Sequence, residues 1–293
     1  MSDSSDFKLQ LKESPGIRLA VLFGSFMLLL IVSSIISEGV NQIQSISERN
    51  KLLITSLVQS AFVFILPAVI FAKYGSPHPF KWLRINRVPT FKSICGIIIV
   101  YFLSMPAMEW LIEWNQGIHF PQVLQGLENT LREWETNNEA ISSILLSTTN
   151  VWQVIIGVLV IGFVTGFSEE IFFRGGFQGI LEKTAIGNST AVWIAAILFS
   201  TLHFQFFGFF PRLLMGVFFG YLLVWSGNLW TSIFAHALNN SIVVVAAGIC
   251  GESQLSILHQ GFAYPDIYLP IFSLIFTALF FILFRKYFFY SHR

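Results

Sequence analysis

Three charged side chains interrupt a stretch that is otherwise apolar. Glu169, Glu170 and Arg174 lie within VWQVIIGVLVIGFVTGFSEEIFFRGGFQGIL, residues 151–181. Charge in lipid is expensive, and it marks a functional site by default. On a helix Glu170 and Arg174 are four residues apart and can pair on one face. Glu169 projects about 100° away and is left for something else. The bland reading is one satisfied ion cluster that locks two helices together. The second carboxylate tilts the balance toward chemistry, because a carboxyl in low dielectric suits a group that takes and returns a proton.

Two histidines offer that carboxylate partners. His203 ends the run WIAAILFSTLH, and His236 lies inside WTSIFAHALNN. Either alone reads as a core histidine bonded to a neighbouring helix. Together, beside an unpaired glutamate, they read as a proton-transfer site. Asn240 follows His236 by four residues, shares its helical face and can donate from its amide. The same carboxylate and imidazoles, Glu169, His203 and His236, also make a three-ligand open zinc site as an alternative. No His-Glu-x-x-His spacing is present, and Glu170 suits Arg174 better than a metal. A metal-free site with no cofactor is preferred. His78, His119, His259 and His292 fall in loops or the tail and receive no role.

The elements that must position these residues follow from composition. The chain has 293 residues, of which 54% are hydrophobic and 11% charged, with a net charge of +1. Mean hydropathy is +0.68. A soluble domain carries about 25% charged residues, so a soluble enzyme and a disordered chain are excluded. The charge balance gives no basic field for nucleic acid, and two cysteines in separate apolar stretches, Cys95 and Cys250, make no disulfide framework. The fold class expected is all-α, a polytopic membrane bundle of about eight transmembrane helices forming a single domain over residues 1–293. The segments are Ile17–Ile36, Leu52–Phe71, Phe91–Ile112, Val151–Leu181, Ser189–His203, Leu213–Trp225, Leu229–Cys250 and Ile267–Phe289. Two, 189–203 and 213–225, are short for a span of about 20 residues, and Phe206–Phe210 can extend either. The first segment reads as a retained helix rather than a removed signal peptide.

Orientation follows from the cationic residues. With both termini cytoplasmic, 13 Lys and Arg fall inside and 4 outside, namely Arg49, Lys51, Arg132 and Arg212, the bias that the positive-inside rule favours. Residues 113–150 are then outside. Val123, Leu124, Leu127, Leu131 and Trp134 form a stripe there opposite Glu128, Arg132, Glu133 and Glu135. That pattern suits a helix lying on the membrane surface, or equally a solvated connector that helps to pack the bundle. The site residues reach similar depths. Glu169 lies 14 residues before Lys183, roughly 21 Å, and His203 roughly 24 Å beyond Gly187. From Gly227, His236 and Asn240 are roughly 14 and 20 Å along. A helix break at Gly175-Gly176 would undo this agreement.

In order and spacing, Glu169-Glu170-x-x-x-Arg174, Phe199-x-x-x-His203 and His236-x-x-x-Asn240 resemble the three motifs of the CAAX protease and bacteriocin-processing (CPBP) family. These are intramembrane endopeptidases related to the type II CAAX prenyl protease. The resemblance covers a catalytic core at about 150–245. It implies that Glu169 activates the attacking water, and that His203 helps to position it or share its proton. His236 and Asn240 would line the site, with Asn240 able to stabilise the oxyanion. Glu170 and Arg174 would give structural support. The implied partners are the lipid bilayer and a membrane-associated peptide, lipidated or not. A non-catalytic membrane protein, either a proton-coupled transporter or an immunity or scaffold protein, is the alternative. No inverted repeat supports transport. A multi-pass position in a bacterial plasma membrane is preferred over the endoplasmic reticulum, since the chain is compact and lacks sorting signals.

Overall fold

The computed structural model describes residues 14–250 and 267–286, and within them every regular element is helical. The long elements are α1 (Pro15–Asn41), α2 (Glu48–Gly75), α3 (Phe91–Gln116), α4 (Gln125–Leu146), α5 (Val151–Leu181), α6 (Asn188–Thr201), α7 (Phe206–Ser226), α8 (Leu229–Cys250) and α9 (Tyr268–Phe284). His259, His292 and the end of the last expected segment lie outside the described residues. All eight expected apolar segments are helices. Six, namely α1, α2, α3, α5, α7 and α8, are long and apolar enough to cross a membrane, and the chain is a multi-pass membrane protein. Among the described residues the other two are shorter: α6 has 14 residues and α9 has 17. Phe206–Gly208 forms a 3₁₀ turn that lengthens α7 rather than α6.

Local chemistry sets the helix ends. Pro15 opens α1 with a preset φ. Ser47, Thr90 and Asn150 accept from the amides of Asn50, Ser93 and Gln153 and so cap α2, α3 and α5. Gly227 ends α7 in the left-handed region at φ +62°. Inside α3, Pro106 disturbs the backbone ladder. Ser273 of α9 repairs it, accepting from the Ala107 amide at 3.2 Å and donating to the Leu103 carbonyl at 2.5 Å. The loosened helix thereby becomes the seat of α9.

The core that carries the site is aromatic and small by turns. Phe71, Phe172, Phe173, Phe199, Leu223, Leu229 and Ile233 form one buried cluster around α5. α5 meets α8 through Gly162 and Gly166, and a Cβ on Gly166 would lie 3.1 Å from the Ala237 backbone nitrogen. α7 meets α6 through Gly216 and Gly220, where a Cβ would lie 3.1 Å from Ala196 Cβ and 2.8 Å from Val192 Cγ1. Both are small-xxx-small contacts, which let membrane helices approach backbone to backbone. α5 does not break at Gly175-Gly176. It runs through two wide π-helical turns, Val158–Val164 and Ile171–Gln178, on either side of the two glutamates, a feature that recurs at functional sites.

α4 is the expected helix in the 113–150 stretch, with Val123 and Leu124 of its stripe in the 3₁₀ turn just before it. Val123 is 94% exposed, and Leu127 and Trp134 are about half exposed. Glu128 on the other face is buried. Its carboxylate accepts from the Phe120 amide at 2.6 Å and from Arg132 Nε at 2.8 Å, and lies 3.1 Å from His119 Nδ1. These bonds and the Arg132 charge draw its carboxyl far below the ordinary carboxylate range, to about 2.

Candidate active site

α5 presents its acids in two directions. Glu170 and Arg174 are both fully buried and pair as the four-residue spacing requires, Arg174 Nη1 donating to Glu170 Oε1 at 2.9 Å. Arg174 Nη2 donates to the Gly216 carbonyl at 3.1 Å, and one turn on Gln178 Nε2 donates to the Gly220 carbonyl at 3.2 Å. α5 is thus bonded twice to the glycine face of α7. The Arg174 guanidinium also lies 4.5 Å over the Phe199 ring, and this cation–π contact stabilises it without water.

His236 joins this pair from α8. Its Nδ1 is 2.9 Å from Glu170 Oε1, and a carboxylate already held by arginine can only accept, so Nδ1 carries the proton. Nε2, the other ring nitrogen, faces Glu169 Oε2 at 3.7 Å. Phe219 of α7 stacks on the imidazole at 4.8 Å and 17° and fixes the ring plane. Glu169 Oε2 is buried and makes no hydrogen bond. The two adjacent carboxylates therefore differ at one oxygen: Glu170 Oε1 is bonded to Arg174 and His236, while its Oε2, like Glu169 Oε2, is buried without a hydrogen bond.

His203 approaches from the end of α6. Its Nδ1 donates to the Phe199 carbonyl at 2.7 Å, which again leaves Nε2 as the free base. Phe199 is the common wall, with ring centroids 4.8 Å from His203 and 5.8 Å from His236. The next residue, Phe204, has φ +54°, a conformation costly for a bulky side chain and concentrated at functional sites. Asn240 is placed differently. It hydrogen-bonds neither Glu169 nor the histidines. Its Nδ2 donates to the Ile161 carbonyl of α5 at 3.2 Å, and its Oδ1 accepts from Asn239 Nδ2 at 3.1 Å. One amide proton remains to give.

Among the described residues no group of three His, Cys, Asp or Glu side chains is spaced to hold a metal ion. The zinc alternative through Glu169, His203 and His236 finds no convergent ligand set, so no step is derived through a metal.

Sequence reasoning missed Arg212, which it placed in an outside loop. Arg212 lies in the first turns of α7 and hydrogen-bonds Gln205 through Nη2 to Oε1 at 2.7 Å. The signal was present, since an arginine inside FFGFFPRLLMGVFFG is a charge in an apolar run. Phe219 and Gln178 were also missed, and they carry no comparable signal.

Residues 150–242 match the family described as Rce1-like, type II CAAX prenyl endopeptidase Rce1-like. Over this stretch, about a third of the chain, the protein is similar to the CAAX prenyl endopeptidases. The match spans the two glutamates, both histidines and Asn240, the residues that α5, α6 and α8 carry into the site. No curated protein and no solved structure gave a significant match to the chain.

Proposed function

We propose that this protein is a metal-free intramembrane endopeptidase that hydrolyses a peptide bond in a membrane-associated peptide. The observation that carries the proposal is the division of labour at Glu169 and Glu170. Glu170 is held through Oε1 by Arg174 and His236, whereas Glu169 has no arginine partner and its buried, unbonded Oε2 lies 3.7 Å from His236 Nε2. Glu169 takes the proton of the attacking water as general base and returns it to the leaving amine. His203, with Nε2 free, orients that water or shares its proton. His236 is held by Glu170 and Phe219 as a fixed wall, and the spare Asn240 amide proton stabilises the oxyanion. Substrates are peptides anchored in the bilayer, prenylated or unprenylated, and the same residues serve either. A bacterial plasma membrane is the proposed location.

The test uses detergent-purified protein and a library of prenylated and unprenylated peptides. Glu169→Gln is expected to lower kcat about 10²–10⁴-fold, and His203→Ala to lower it as well. Full activity should survive exhaustive chelation with no zinc by elemental analysis. Hydrolysis undiminished in Glu169→Gln removes the assignment, and activity lost on chelation and restored by zinc removes the metal-free mechanism.

A further inference from the structure

The proposed chemistry leaves one charge at the site unused. Arg212 precedes Gly216 by one turn on α7, on the face where Gly216 accepts from Arg174 and Phe219 stacks on His236. Its guanidinium is seated on one edge only. Gln205 takes Nη2 on its side-chain oxygen at 2.7 Å and Nη1 on its backbone carbonyl at 3.4 Å. Gly208 makes the room, because a Cβ there would lie 2.9 Å from Nη2. Among the described residues no carboxylate comes within the 4.0 Å of an ion pair with Arg212. Glu169, Glu135 and His203 are all within its electrostatic reach.

A cation kept beside the reacting groups, cradled by a glutamine and lacking an acid of its own, is set for an external anion. Guanidinium has five N–H donors in a planar fork that matches the two oxygens of a carboxylate. The surroundings are otherwise aromatic, with Phe204, Phe206, Phe207 and Phe210 on the same turn of chain. An apolar peptide entering such a site brings few charges, and the carboxylate at its C-terminal end is one that it retains. We propose that Arg212 binds the C-terminal carboxylate of the substrate and thereby sets the scissile bond at a fixed distance from the chain end. The proposal rests on the peptidase reading above and deepens it: the enzyme measures from the C-terminus, and Arg212 is the zero of the ruler.

Two peptides of identical sequence, one ending in a free acid and one in an amide, test this in phospholipid-free detergent. The wild-type protein is expected to favour the acid in kcat/KM by about tenfold or more, the scale of one charge-assisted pair. Arg212→Gln should bring the acid-to-amide ratio of kcat/KM to about one, whatever it does to turnover of both peptides through the Glu169 and His203 charges. Arg212→Lys should restore part of the preference. A second arm needs no turnover: in the Glu169→Gln background the fluorescently labelled acid should bind more tightly than the amide, and adding Arg212→Gln should abolish the difference. If neither peptide is cleaved by wild type, the peptidase reading fails and the binding arm alone decides on Arg212. Should Arg212→Gln not fold, the wild-type acid-to-amide ratio and Arg212→Lys decide. Equal turnover and equal binding of acid and amide overturn the proposal. So does an effect of added anionic phospholipid on Arg212 with none of the peptide terminus.

Discussion

Glu169 and Glu170 are neighbours in the chain, yet their environments assign them different work. Glu170 has an arginine and an imidazole 2.9 Å away, so its charge is compensated where lipid would otherwise forbid it. Removing one partner of such a buried pair leaves an uncompensated charge, which costs about 3–5 kcal/mol. Arg174→Met is therefore expected to lower the melting temperature in detergent markedly and to abolish activity through loss of shape rather than of a reacting group. A variant melting like wild type would show that the pair is not structural. Glu169→Gln should melt close to wild type, because Glu169 Oε2 has no bond to lose, and this contrast separates the two roles. The pairing of Glu170 with Arg174 was legible in the sequence because a four-residue spacing fixes one helical face. The bond from His236 to Glu170 was not, because it depends on the rotation of α8 against α5, which no local pattern encodes. For the same reason Asn240, on the face of His236 as its spacing requires, was not foreseen as bonded to the α5 backbone at Ile161.

Helix contacts explain how a site this compact is held in lipid, where burial of apolar surface gives no drive to associate. α5 meets α8 at Gly162 and Gly166, and α7 meets α6 at Gly216 and Gly220. The side chains of Arg174 and Gln178 then bond carbonyls that only such closeness brings within reach. Gly166→Val would place its branched carbon against the Ala237 backbone, which cannot swing aside as a side chain does. The expected cost is about 1–3 kcal/mol. The larger consequence is functional: α8 moves away, His236 leaves Glu169, and kcat/KM falls while the protein still elutes as a folded species. Unchanged kcat/KM in Gly166→Val would mean that the contact does not set the register. Hydropathy made these helices readable one by one, since each is a run of apolar residues. It said nothing of the π-helical turns flanking the glutamates, which arise from packing. It did mark 189–203 as short, and α6 has 14 residues; it left open that Phe206–Gly208 joins α7 rather than α6.

At the scale of the whole molecule the site is closed by segments far apart in sequence. His203 and Gln205 sit on the turn between α6 and α7, with Arg212 in the first turns of α7, and this junction is braced from α4 and the loop before it. Glu135 accepts from the Phe207 amide at 3.2 Å, Arg132 lies 4.0 Å over the Phe207 ring, and Phe120 packs edge-on against Phe206 at 5.2 Å. Glu128 ties this brace together by holding Arg132 and the Phe120 amide at once. The sequence placed Glu128 on the polar face of α4, and polarity alone suggested solvent; the loop before α4 folds back over it instead. Its pH dependence follows from its depressed titration. The ordinary value is 4.5 and the folded one about 2, so the brace is at full strength above 4.5 and weakens as pH falls toward 2. A spin label at Gln122→Cys, with Cys95 and Cys250 replaced by serine, should be immobile and pH-independent from 8 to 5 and gain mobility only below about 4.5. Glu128→Gln should be mobile throughout, and should lower kcat/KM at neutral pH although the residue touches no reacting group. A label in Glu128→Gln as immobile as in wild type would break the link from α4 to the turn that carries His203.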